Sequence, residues 1–162
     1  MREHFAFIVT SAVLLFLHAT FVHLITIGPA VPDVLLIWIV YLAIRRGQIV
    51  ATVYGFAIGL CVDLIGGGDE MVGLSSLVKS LAGFLAGYFY HENRIEQTLA
   101  SSRFVLIVGL AALLHYGVYF LIFLRGSTIG WWEALSVHGV SSAMYTTALA
   151  IVPMSVFRRK YQ

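Results

Sequence analysis

Charge is what this chain has least of. Only 11% of its 162 residues are Asp, Glu, Lys or Arg, against about 25% in an average soluble domain. A soluble fold of this length could not hide the 60% of residues that are hydrophobic, so the excess is expected to face lipid. The net charge of +2 is small and gives no reason to expect a nucleic-acid partner. Cys61 is the single cysteine, which excludes an internal disulfide framework. Inside its apolar stretch it is read as a buried packing residue rather than a catalytic thiol. Catalytic signatures are missing too: there is no phosphate-binding loop, no Gly-x-Ser-x-Gly elbow and no His-Glu-x-x-His. Gly66-Gly67-Gly68 has no following Lys-Ser/Thr, so it reads as a turn. No enzyme activity and no cofactor is expected.

What is there is a series of long apolar runs. They predict an all-α membrane protein in one integral domain, with six transmembrane helices over about 5–27, 32–45, 49–65, 72–90, 104–124 and 131–157. The first run, Phe5 to Ile27, exceeds the roughly 7–15 residues of a signal-peptide core and reads as a permanent span. Gly28-Pro29-Ala30-Val31-Pro32 then interrupts the helix. Pro32 at the first helical position and Asp33 in the first turn suit the start of the second span. That span is short, at ~20 Å of rise against a ~30 Å hydrocarbon core. The polar segment from His91 to Arg103 is a solvated stretch that could also touch a cytoplasmic partner.

Orientation follows from the basic residues. With both termini cytoplasmic, Arg2, Arg45, Arg46, Arg94, Arg103, Arg158, Arg159 and Lys160 all lie inside and Arg125 alone lies outside, as the positive-inside rule prefers. Trp131-Trp132 then mark the outer interface.

Within the spans, Gly55 and Gly59 share a helix face with Asp63, and Gly83 and Gly87 share one with Lys79. Small residues four apart let helix backbones approach closely. These faces suit either packing of the third span on the fourth or a groove for a partner helix. Lys79 and Asp63 are costly in lipid, about 2.5–3.5 kcal/mol each at a helix centre, and a Lys79–Asp63 pair is expected to offset that cost. His18, His115 and His138 fall at a depth similar to that of Lys79, so the four could line a common polar cavity. No metal site is expected, because each histidine is on a different span and lacks an acidic partner. Ser75, Ser76, Ser80, Ser141, Ser142, Thr146 and Thr147 are expected to add small interhelical polar contacts.

Two motifs carry a family resemblance. Val31-Pro32-Asp33-Val34-Leu35-Leu36, running on to Arg45-Arg46-Gly47, resembles the second span of the MreD family of rod shape-determining proteins. Gly55-Phe56-Ala57-Ile58-Gly59-Leu60-Cys61-Val62-Asp63-Leu64 resembles that family's glycine-rich span ending in Asp, and Gly73-Leu74 falls where its next span begins. The resemblance implies a non-enzymatic scaffold of the bacterial elongation machinery in the cytoplasmic (inner) membrane. It implies MreC as partner, through a membrane helix and a periplasmic domain, and beyond it MreB, RodZ, RodA and the penicillin-binding transpeptidase that works with RodA. It also implies a fold similar to the substrate-binding subunits of energy-coupling-factor transporters. An alternative function follows from that likeness: a vitamin-type small-molecule binding subunit of a transporter. The residues expected to serve helix packing and partner contact are Pro32, Asp33, Gly55, Gly59, Asp63, Gly83 and Gly87.

Overall fold

The computed structural model describes residues 2–66, 71–123, 130, 132 and 134–161. Helices dominate, and among the described residues there is no strand, only an isolated bridge between Ile27 and Ala30. In chain order they are α1 (Arg2–Phe21), α2 (Val34–Arg46), α3 (Gln48–Ile65), α4 (Leu74–Ala86), the short α5 (Ile95–Leu99), α6 (Ser102–Phe123), α7 (Ser141–Leu149) and α8 (Ile151–Tyr161). A π-helical stretch, Ala134–Val140, runs directly into α7. The turns expected at Gly67 to Glu70 and at Arg125 to Thr128, and the interfacial Trp131, lie outside the described residues.

Among the described residues, four stretches are long and apolar enough to cross a bilayer: Phe5–Leu24, Gln48–Ile65, Ser102–Ile122 and Ala134–Lys160. α2 and α4 are shorter, with 13 residues each, or ~20 Å of rise. A short Val22–Leu24 turn of 3-10 helix ends the first span before the expected Ile27.

α2 is the innermost element. Leu35, Leu36, Ile39, Val40, Leu42, Ala43 and Ile44 are wholly buried, and none of its residues is exposed. A strand-like or loop segment could not occupy that place in lipid, because its backbone groups would go unsatisfied. Asp33 starts the helix as its N-cap, its carboxylate accepting from Leu36 N at 2.9 Å. Pro32 therefore precedes the cap rather than opening the helix. Gly47, at φ +83°, makes the turn into α3 in a single residue, a backbone conformation that suits glycine.

Most of the remaining apolar surface points outward. Phe5, Ile8, Phe16, Val53, Phe56, Leu64, Leu106, Leu121 and Val152 are exposed, a pattern that a soluble monomer rarely shows and that lipid would cover. Cys61 belongs to this outer surface, which corrects the expectation of a buried cysteine. In a membrane protein an apolar sequence context does not separate core from lipid-facing positions.

Candidate functional site

The two glycine faces meet each other. A Cβ built on Gly55 would lie 2.6 Å from Lys79 O, and one on Gly59 would lie 2.5 Å from Ser75 O. Reciprocally, a Cβ on Gly83 would lie 2.7 Å from Ala51 O, and one on Gly87 2.5 Å from Gln48 Cα. Only hydrogen atoms fit between these backbones. Gly55 and Gly59 of α3, Gly83 of α4 and Gly87 just past its end therefore let the two helices pack backbone to backbone along their length. The surface considered for a partner helix is closed by the chain itself.

That close approach brings Asp63, at the end of α3, against the start of α4. Its carboxylate accepts from Gly73 N at 2.8 Å, Ser75 N at 3.2 Å, and Ser76 N and Ser76 Oγ at 3.4 Å each. Asp63 thus supplies the cap that Gly73, the residue at the N-cap position, lacks. Lys79 does not pair with Asp63, which corrects the expected ion pair.

Lys79 Nζ instead donates to Asp33 Oδ2, forming a buried ion pair between α4 and the start of α2. His115 of α6 closes the cluster, with Nε2 3.7 Å from the same oxygen. Asp33, Lys79 and His115 are only 5%, 3% and 5% exposed. The other carboxylate oxygen is held by Leu36 N, and Asp33 N donates to Thr146 Oγ1 of α7 at 3.0 Å. Asp33 is thereby held by groups from α2, α4, α6 and α7. A charge in such a place is stable only when paired and hydrogen-bonded.

The segment leading to Asp33 is strapped down in the same way. Val31 N donates to Ser142 Oγ at 3.0 Å, and Tyr116 Oη donates to Val31 O at 2.9 Å. Further out, Tyr145 Oη donates to Ile25 O at 2.8 Å. Ser142 and Thr146 thus bridge segments, while Ser80 and Thr147 bond back within their own helices, to Ser76 O and Ala143 O. The hydroxyls of Tyr116 and Tyr145 carry no periodicity signal that would have singled them out.

Above the ion pair lies a cleft of about 480 Å³. His18, Asp33, His115 and His138 all line it, together with Pro32, Tyr116, Tyr119 and Ser142. Lys79 sits behind Asp33 rather than in the wall. His138 reaches the cleft from the π-helical stretch, a feature that redirects side chains and recurs at functional sites. Among the described residues no group of three or more His, Cys, Asp or Glu could hold a metal ion.

The family model for the rod shape-determining protein MreD matches residues 1–161. The chain belongs to the MreD family. MreD proteins are shape-determining membrane proteins and not enzymes, and the all-helical fold with four membrane-length apolar stretches agrees with that assignment. No characterised protein and no solved structure matches the chain. In MreD terms, the Pro32-Asp33 motif anchors the buried cluster, and the glycine-rich motif ending at Asp63 builds the α3–α4 contact.

Proposed function

We propose that this MreD-family chain is a six-span scaffold of the bacterial rod complex in the cytoplasmic membrane, with both termini inside, which binds MreC and supports peptidoglycan synthesis during elongation. The family match over residues 1–161 carries the reading. Two features support it. First, α2 and α4 each run between a polar cap and a basic or aromatic end, as short spans sheathed by longer ones would. Second, Arg45 and Arg46 end α2 beside Glu92, Asn93 and Glu96, in one polar cleft with the segment assigned to the cytoplasm.

Because the glycine faces are closed inside the chain, the partner contact belongs to the outward apolar surface. Depletion in the host should turn rods into spheres, and affinity purification of the tagged chain from solubilised membranes should bring down MreC. Depleted cells that stay rod-shaped, with no MreC recovered, would overturn the proposal. The histidine cleft is what favours the transporter-subunit alternative, which requires an ATPase module to co-purify instead.

A further inference from the structure

Three clefts follow one another along α1. The polar cleft above the ion pair includes His18 in its wall. His18 also lines an apolar cleft of about 260 Å³ with Leu14, Leu17 and Phe21. Leu14 and Val34 in turn line both that cleft and a third, of about 450 Å³, walled by Trp38, Tyr41 and Phe157. A polar chamber that shares a wall residue with a succession of apolar ones fits an amphiphile better than a soluble solute.

The sign of the headgroup follows from the walls. Among the described residues Asp33 is the only acid lining the polar cleft, and Lys79 neutralises it from behind. Three imidazoles, of His18, His115 and His138, also line it. Nδ1 of His18 and Nδ1 of His115 are buried with no hydrogen-bond partner, and buried polar atoms normally have one. These walls offer ring nitrogens as hydrogen-bond partners to a visitor and, among the described residues, no unpaired carboxylate for a cationic headgroup.

We propose that the chain binds one anionic phospholipid, its phosphate at His18 and His115 and an acyl chain laid along Leu14 and Trp38. The lipid ties α1 to the bundle. α1 needs such a tie: Phe5, Ile8, Val9, Val13, Phe16 and Leu17 are all exposed, and a side-chain hydrogen bond to α2 runs from Trp38 Nε1 to Ser11 Oγ at 2.9 Å. This inference is independent of MreC binding and stands or falls separately from it.

The test uses the full chain, purified in detergent and stripped of lipid, then titrated with phosphatidylglycerol, phosphatidylcholine or glycerol 3-phosphate. Native mass spectrometry and thermal melting are the two readouts. One phosphatidylglycerol should remain bound under activation that strips phosphatidylcholine, and only phosphatidylglycerol should raise the melting temperature. His18→Gln and Leu14→Trp should each weaken its retention about tenfold or more, as expected for a lost hydrogen bond to a charged group or a blocked chain. His138→Gln, at an exposed position of the same cleft, should also weaken it, and it decides the matter if the other variants do not fold. Equal retention of the two phospholipids would reduce the site to annular lipid. Binding of glycerol 3-phosphate as tight as that of phosphatidylglycerol would make it a soluble-anion site. Undiminished retention in all folded variants would place the lipid elsewhere. Each of these three results overturns the proposal.

Discussion

The Asp33–Lys79 pair is the place where a single substitution should do most damage, and the two partners should not be equivalent. Asp33→Asn keeps an oxygen to cap α2 through Leu36 N and keeps the backbone donor to Thr146, so the local helix start survives. What it removes is the counter-charge of Lys79, which is 3% exposed. Lys79→Met removes the ammonium but fills its volume with an apolar chain. Asp33 then still has Leu36 N, and His115 at 3.7 Å. Breaking one side of a buried pair costs about 3–5 kcal/mol. Asp33→Asn should therefore fall near the upper end and Lys79→Met near the lower, with melting temperatures down on the order of 10 °C. The double variant buries neither charge and should recover part of the loss, with a coupling of about 1–3 kcal/mol in the double-mutant cycle. Unfolding in mixed detergent micelles, followed by circular dichroism, measures all four corners of that cycle. Simple additivity would refute the pairing. A cycle built on Asp63 and Lys79 should be close to additive, and strong coupling there would restore the pair expected from sequence.

Other consequences follow from the same geometry. Gly59→Leu should drive α3 from α4, since even a Cβ would lie 2.5 Å from Ser75 O; a destabilisation of about 3 kcal/mol or more is expected, seen as lost monodispersity in gel filtration. Gly117→Ala, where a Cβ meets nothing within 4 Å, should instead be neutral or stabilising by up to about 1 kcal/mol, and a loss comparable to that at Gly59 would undo the contact argument. Asp63→Ala should cost about 1–2 kcal/mol as a lost cap and speed hydrogen exchange at Gly73, Ser75 and Ser76, whereas unchanged exchange would mean those amides do not depend on it. Cys61 should react with a lipid-soluble maleimide in intact membranes and resist a membrane-impermeant one; the reverse pattern would contradict its lipid-facing position.

The parts of this fold that were legible in the sequence are those set by spacing along one helix. Gly55 and Gly59 in the third expected span, and Gly83 and Gly87 in the fourth, announce a close helix pair because four residues is about one turn. The histidines of three spans could be assigned a shared depth by counting residues. What could not be read is which polar group meets which across the bundle. Among the acids inside the expected spans, Asp63 is the nearest to Lys79 in sequence and lies on the neighbouring helix, yet four donors at the start of α4 occupy it. Asp33, 46 residues from Lys79, reads in the sequence as an ordinary helix-start residue, and only the burial of α2 places it beside Lys79. Exposure failed for a different reason: lipid and protein core select the same side chains, so Cys61 could not be assigned to either from composition.

The hydrogen bond from Asp33 N to Thr146 has a consequence for the order in which this protein can be made. Synthesis delivers the α3–α4 hairpin, built from neighbouring segments, long before residue 146 leaves the ribosome. Until then the amides of Val31 and Asp33 lack the hydroxyls of Ser142 and Thr146 that receive them in the finished molecule. The centre of the protein is thus completed by nearly its last span, and a chain cut short before Ser142 would hold its helices in the membrane with the keystone absent.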